Sequence, residues 1–351
     1  MKIRAQWPRF FLSLALALLL SARYLVSDAH ATEPWPNDPD FLVGVAAHPS
    51  LGAPTWWSGY GGSDADIEMQ IHLAAEMGSK IYRIDAQIVT ADIIEKVITL
   101  CRRYGMEVMP ILDSESSAEI LAKQFRGRVK YYQVKNEMNV AAHKSIWLDG
   151  TRISDFKMST DIPRPKDEEC LDLLIADTVR IIKRIRAEDP DVEILINGTW
   201  THYGFLDYAF ARFSEEGVDI DLIGWDWYSD MEDNRAGHSS TIDGLNSVAK
   251  YLHDHYGQKD ILICEYNMWV PSFDRAVFTG VQHVTQCPGN GNGKIDPFEE
   301  ENLNTQTGPY LVNNIQYLYS NRAANHIKGL MVYELIEEPG QSIHPPAGTL
   351  T

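Results

Sequence analysis

Cysteine is scarce in this sequence: four in 351 residues, at positions 101, 170, 264 and 287. Their wide separation matches no zinc-ligand spacing, which removes cysteine-based metal sites from consideration. In an oxidising compartment the four would allow up to two disulfides in any of three pairings, whereas Cys264, inside an apolar run, also reads as a buried thiol. No H-E-x-x-H segment occurs, and no catalytic metal is expected. No candidate strand is followed by G-x-G-x-x-G, which excludes the dinucleotide-binding fingerprint. Long apolar runs are missing after residue 22, so no later stretch has the length to span a membrane. Positive charge is in deficit, with 31 Lys and Arg against 49 Asp and Glu and a net charge of −18. Such a body is repelled by nucleic acid and by anionic lipid, and neither is expected as a partner. A neutral or cationic substrate fits it better, although acidity also confers solubility by itself.

What is present begins with an export pattern. Residues 1–9 are basic, residues 10–22 are apolar, and Ala29-His30-Ala31 matches the A-x-A cleavage signature. The apolar run is shorter than the roughly 20 residues of a membrane helix. The expectation is a signal peptide over 1–31 and a secreted or periplasmic mature chain over 32–351. Its net charge becomes −21 once four basic residues and one acidic residue are removed. A hydrophobic content of 44% supports a large core, and no linker or low-complexity tract divides the mature chain.

Instead, short runs rich in Val, Ile and Leu alternate with segments of helical period. Continuous apolar runs suit strands buried on both faces, as in parallel sheets. The expected strands are 41–47, 80–84, 107–112, 129–135, 193–197, 220–225, 260–264 and 328–333. Between them, helices are expected from Ser63 to about Met77, from Thr90 to Tyr104, from Lys166 to Ala187 and from Thr241 to Tyr256. Gly78, Gly105 and Gly257 stand just beyond three of these ends, and Asp189-Pro190 beyond the other. Eight strands with right-handed crossovers predict an α/β fold, a closed (β/α)8 TIM barrel forming a single catalytic domain. After the eighth strand 18 residues remain, rich in Pro and Gly, so the closing helix is expected to be short or absent.

Such barrels build their sites at the C-terminal ends of the strands. That rule reduces the 49 acidic residues to Asp85, Asp113, Glu115, Glu137, Asp226, Glu265 and Glu334. The fourth strand runs into Asn136-Glu137, and the seventh into Glu265. Glycoside hydrolysis with retention needs two carboxyl groups about 5–5.5 Å apart. Glutamates from strands four and seven are long enough to converge above the barrel axis. One would attack the anomeric carbon while its charge keeps the other protonated as the acid.

Asn-Glu after strand four with Glu after strand seven resembles the clan A glycoside hydrolases. Within the clan the sequence is most similar to the family 39 group, which includes enzymes associated with bacterial exopolysaccharide. The resemblance implies Glu137 as general acid/base and Glu265 as nucleophile. It implies Asn136 holding the sugar 2-hydroxyl, Arg83 supporting the nucleophile carboxylate, and Tyr228 hydrogen-bonding it. Two positions depart from the clan pattern. Asp226-Trp227-Tyr228 stands where His-x-Tyr is frequent, and Tyr333 stands where strand eight usually ends in tryptophan. Both positions shape the subsite around the cleaved bond, so the identity of the sugar is left open.

Seven of the nine tryptophans, at 56, 57, 147, 200, 225, 227 and 269, fall at expected strand ends or in the loops that follow. Aromatic faces suit the C–H faces of pyranose rings. Trp200, Trp227 and Trp269, with Tyr228 and Tyr333, are the expected sugar contacts, while others cap the core. An extended aromatic strip favours endo-action on a polysaccharide or oligosaccharide substrate. No cofactor is required by this chemistry. The 288–299 loop places Asn290, Asn292, Ile295, Asp296 and Glu299 at EF-hand positions around Gly293. Pro288 offers no ligand at the first position, so a structural calcium there competes with a plain solvated loop. Asn197-Gly198-Thr199 is formally a glycosylation acceptor, but its strand-end position favours a backbone role at the site. Two other readings stay open: a catalytically silent carbohydrate-binding scaffold of a polysaccharide export system, and a metal-dependent barrel hydrolase.

Overall fold

The structure is a computed structural model, describing residues 38–47, 64–85, 90–139, 165–199, 203–229, 242–268, 312 and 314–333. The signal segment 1–31, the calcium-like loop 288–299 and the stretch after the eighth strand lie outside the described residues. In order, the elements are β1 (Leu42–Ala47), α1 (Asp64–Glu76), β2 (Ile81–Asp85), α2 (Ala91–Arg103), β3 (Glu107–Leu112), α3 (Glu115–Gln124) and β4 (Tyr131–Val134). They continue with α4 (Pro165–Glu188), β5 (Glu193–Thr199), α5 (Phe205–Glu216), β6 (Leu222–Ser229), α6 (Ile242–His255) and β7 (Asp260–Met268). A last helix, α7 (314–325), leads into β8 (Ile327–Tyr333). Each strand pairs in parallel with the next, and β8 closes on β1. The chain forms a (β/α)8 barrel. No helix among the described residues is long and apolar enough to cross a membrane.

Strand alternation divides the core in two. Leu42, Ile81, Met109, Tyr131, Leu195, Leu222, Leu262, Cys264 and Met331 point inward and pack as one cluster in the barrel centre. Their neighbours of opposite parity, such as Ile84, Tyr132, Ile196 and Ile263, are buried toward the helices. Closure at β8 depends on Gly329, where an added Cβ would collide with the carbonyl oxygen of Leu42. A polar clasp secures the same seam. Asp38, just before β1, accepts from Tyr319 Oη at 3.1 Å and Arg322 Nη2 at 2.7 Å, both on α7.

The structure departs from the sequence expectation in three places. Strands β6 and β7 run four residues beyond their expected ends, to Ser229 and Met268. Asp226 and Glu265 ended the apolar runs, but both are accommodated within strands because their side chains face a polar cluster. Helices α3 and α5 were not anticipated. Helix α3 starts from a serine capping box, Ser114 with Ser117, and α5 ends at Gly217 with φ 62°. Glu115 is therefore the first helical residue of α3 rather than a barrel-mouth carboxylate. It faces Arg184 of α4 at 3.3 Å. Finally, Cys101 and Cys264 are buried free thiols, and burial pushes the Cys101 thiol up to about 12. Two disulfides are excluded, which leaves Cys170 with Cys287 as the sole pairing still open.

Candidate active site

The site is organised around one buried cation. Arg83 lies on β2 two residues beyond Ile81, so it points into the barrel, and it is 2% exposed. Its guanidinium reaches β7, β4 and the loop that follows β4. Nη1 donates to Glu265 Oε1 on β7 at 2.6 Å, and Nε donates to Gln133 Oε1 on β4 at 2.7 Å. Nη2 donates to Asn136 Oδ1 at 2.6 Å. Burial by itself would lower the affinity of Arg83 for its proton, but Glu265 and then Asp226 outweigh it, and the group stays cationic. A planar fork with fixed donors can hold carboxylate and amides together in this way, whereas an ammonium cannot.

The loop after β4 is held in an uncommon backbone conformation. Lys135 has φ 63° and Glu137 φ 40°, so two non-glycine residues in the left-handed region bracket Asn136. Such conformations persist only where the surroundings impose them. Here Gln133 Nε2 donates to Lys135 O at 2.9 Å, and Lys135 Nζ donates to Asp177 Oδ2 at 2.6 Å. The N–H of Glu137 donates to Asn197 Oδ1 at 2.7 Å. Since Asn197 uses its oxygen there, its Nδ2 is the donor to Asp226 Oδ1, at 2.8 Å. Glu137 is thereby tied through Asn197 to Asp226.

Asp226 is fully buried, and its Oδ2 has no hydrogen-bond partner. Across the β6–β7 ladder its register partner is Glu265. Burial raises its carboxyl well above the usual aspartate range. The charge of Glu265 and, more weakly, that of Glu137 add to this, while Arg83 opposes it. Asp226 therefore holds its proton where an exposed aspartate would be ionised. The native state binds this proton more tightly than the unfolded chain. Its contribution to stability is full below the unfolded value of about 3.9 and is lost as pH rises through the higher native value. Asp226→Asn has no such proton. Between about pH 5 and about pH 9 the wild-type melting temperature should fall relative to that of the Asn variant. Melting curves that shift in parallel would show that Asp226 is not protonated in the native state.

The structure brings Arg83, Asn136 and Glu265 into direct contact and fixes the backbone of Glu137 beside them. Tyr333, half-buried, ends β8 on the same face as Met331. The side chain of Tyr228 lies outside the described residues, as do Trp200 and Trp269. Trp227 corrects an expectation. It is 1% exposed and sits on the face of β6 opposite Asp226, so it is a core residue that cannot offer its ring to a sugar. Trp225, of the same parity, stacks on Phe205 of α5 with centroids 6.4 Å apart. Gln133 and Asn139 were not anticipated, and Asn197, expected at the site for its backbone, acts there through its side chain. For Gln133 and Asn197 the signal was a polar residue interrupting an apolar strand at an inward-facing position, whereas Asn139 lies beyond the end of β4. The Asn197-Gly198-Thr199 triplet is wholly buried, and Thr199 N donates to Asn139 Oδ1 at 3.1 Å.

Comparison with protein-family models finds no match, and comparison with curated proteins finds none. Solved structures do match. A family 1 β-glucosidase from Thermotoga maritima is similar over 86% of this chain and 89% of its own, with TM-score 0.52 and 15% identity. A β-glucosidase from the same organism in complex with cyclophellitol gives TM-score 0.53 at 15% identity, over 86% and 89% of the two chains. Another complex, with an N-octyl calystegine derivative, gives 0.55 at 15% identity, over 86% and 90%. The likeness establishes the barrel fold. At this identity it carries no residue roles across, and those rest on the contacts above.

Proposed function

We propose that the chain is a retaining glycoside hydrolase of the clan A type. In this reading Glu265 is the nucleophile, Glu137 the general acid/base, and an extracellular polysaccharide the substrate. The observation that carries it is the buried 2.6 Å pair between Arg83 and Glu265, joined through the same guanidinium to Asn136 beside Glu137. The guanidinium holds the Glu265 carboxylate in a fixed position near the C-terminal end of its strand, as an attacking nucleophile must be held. The β-glucosidases among the similar structures support glycosidase chemistry. The nearer likeness to the family 39 group rests on the sequence motifs.

In the first step Glu265 attacks the anomeric carbon as the acidic proton of Glu137 passes to the glycosidic oxygen. The old C–O bond breaks, the alcohol leaves and a glycosyl ester forms. In the second step water gives a proton to the Glu137 carboxylate, its oxygen attacks the same carbon, and Glu265 is released with configuration retained. Asn136 is placed to hold the sugar 2-hydroxyl, with Tyr228, Tyr333, Trp200 and Trp269 as further contacts. The export pattern and the acidic surface support a secreted enzyme acting on a neutral polymer, and the loop tryptophans support internal cutting.

The test is the mature protein assayed on a panel of polysaccharides and aryl glycosides beside Glu137→Gln. The variant should lose about 10²–10⁴-fold on substrates with poor leaving groups, which need the acid. It should lose far less on aryl glycosides whose phenolate leaves unaided. An equal loss on both substrate classes would remove Glu137 as the acid. Binding without hydrolysis across the panel would favour the silent scaffold, and chelator-sensitive turnover would favour a metal-dependent hydrolase.

A further inference from the structure

At the end of the barrel away from the carboxylates, the last turn of α6 meets the entry to β8. His253 and Asp254 come from α6, and His326 immediately precedes β8. One ligand-type atom from each lies within 4.8 Å of the others. The two imidazoles are face to face, with centroids 3.3 Å apart and planes 3° from parallel. His253 Nδ1 lies 3.0 Å from Lys259 O. A carbonyl only accepts, so Nδ1 carries the hydrogen and Nε2 keeps its lone pair. Asp260 Oδ1 stands 4.0 Å from His326 Nδ1, on the side from which a carboxylate orients a metal-binding imidazole. Asp254 accepts from Lys250 with Oδ2, at 2.7 Å, and its other oxygen is not part of that bond. His326 is held here at φ 56°, a conformation that histidine adopts more readily than most residues but still at a cost.

We infer that His253, Asp254 and His326 form a binding site for a divalent transition-metal ion, zinc above all. Two neutral imidazoles and one carboxylate, with water completing a tetrahedron, are the ligand set that zinc prefers over calcium or magnesium. Both rings need only splay about their Cβ atoms to aim at one ion. The histidines are half-buried and Asp254 is exposed, so that rotation disturbs no core packing. His255 completes a His-x-His triplet in the sequence but is engaged elsewhere, stacked on Tyr251 at 3.8 Å. The ion would fasten the end of α6 to the strand that closes the barrel. Its role is structural, since the proposed reaction takes place at the opposite strand ends.

Untagged, chelator-stripped full-length mature protein titrated with Zn²⁺ should show one saturable site and a rise in melting temperature. Co²⁺ should give the visible absorption of a tetrahedral nitrogen–oxygen site. Asparagine tolerates the left-handed region, so His326→Asn removes the imidazole while keeping the backbone. It should weaken Zn²⁺ binding about tenfold or more and leave the metal-free melting temperature near that of the wild type. His253→Gln should do the same. Absence of saturable binding, or binding unchanged in both variants, would overturn the site.

Discussion

Glu265→Gln is expected to lower kcat on every glycoside that the protein cleaves by on the order of 10⁴–10⁶-fold, the scale seen when a covalent nucleophile is removed. The amide fills the same space but has neither the charge nor the lone-pair reactivity to open the acetal. Oligosaccharide binding should survive, because the contacts proposed for the sugar come from other residues. A 2-fluoro aryl glycoside that leaves a sugar on wild-type Glu265 should leave none on the variant, as read by intact-protein mass. In Glu265→Ala, which empties that space, added azide should restore turnover with inverted configuration, because the small anion enters from the vacated face. Wild-type-like turnover would end the assignment of Glu265, and with it the double displacement.

Arg83→Met should destabilise the protein strongly. It removes the buried cation that pairs with Glu265 and strands the oxygen of Gln133 that the guanidinium satisfied, whereas Asn136 Oδ1 keeps Gln133 Nε2 as a donor at 3.0 Å. Breaking a buried pair from one side costs about 3–5 kcal/mol. Urea unfolding should therefore reach its midpoint at markedly lower denaturant. Glu265→Gln in the same chain should recover part of the loss, since the uncompensated charge then disappears. Costs that simply add in the double variant would mean that the pair is not coupled, and that Arg83 serves packing alone.

The barrel was legible because its strands are apolar on both faces and its helices end at glycine. The positions of Arg83, Asn136, Glu137 and Glu265 followed from the strand ends. What the sequence withheld was parity. Trp227 was placed at the end of a strand, where either face is open to it. The strand continues to Ser229, so alternation decides, and it sends the ring toward the helices. The same continuation seals Asp226 inside, where an isolated strand-end aspartate would have been read as solvated. Gln133 was passed over, and Asn197 was read for its backbone alone, although an inward-facing amide in an apolar strand needs a partner. Helix α3 was missed because Ser116 and Ser117 are weak helix formers, and its start depends on a cap formed by serine pairing with serine.

The buried Asn197-Gly198-Thr199 triplet bears on how the protein is made. A host whose secretory pathway attaches glycans to such triplets acts on the nascent chain, before the barrel closes. A chain carrying a sugar on Asn197 could not place that amide between Glu137 and Asp226, and the mouth of the barrel would have no room for the added mass. Production therefore belongs in cells that leave the triplet unmodified.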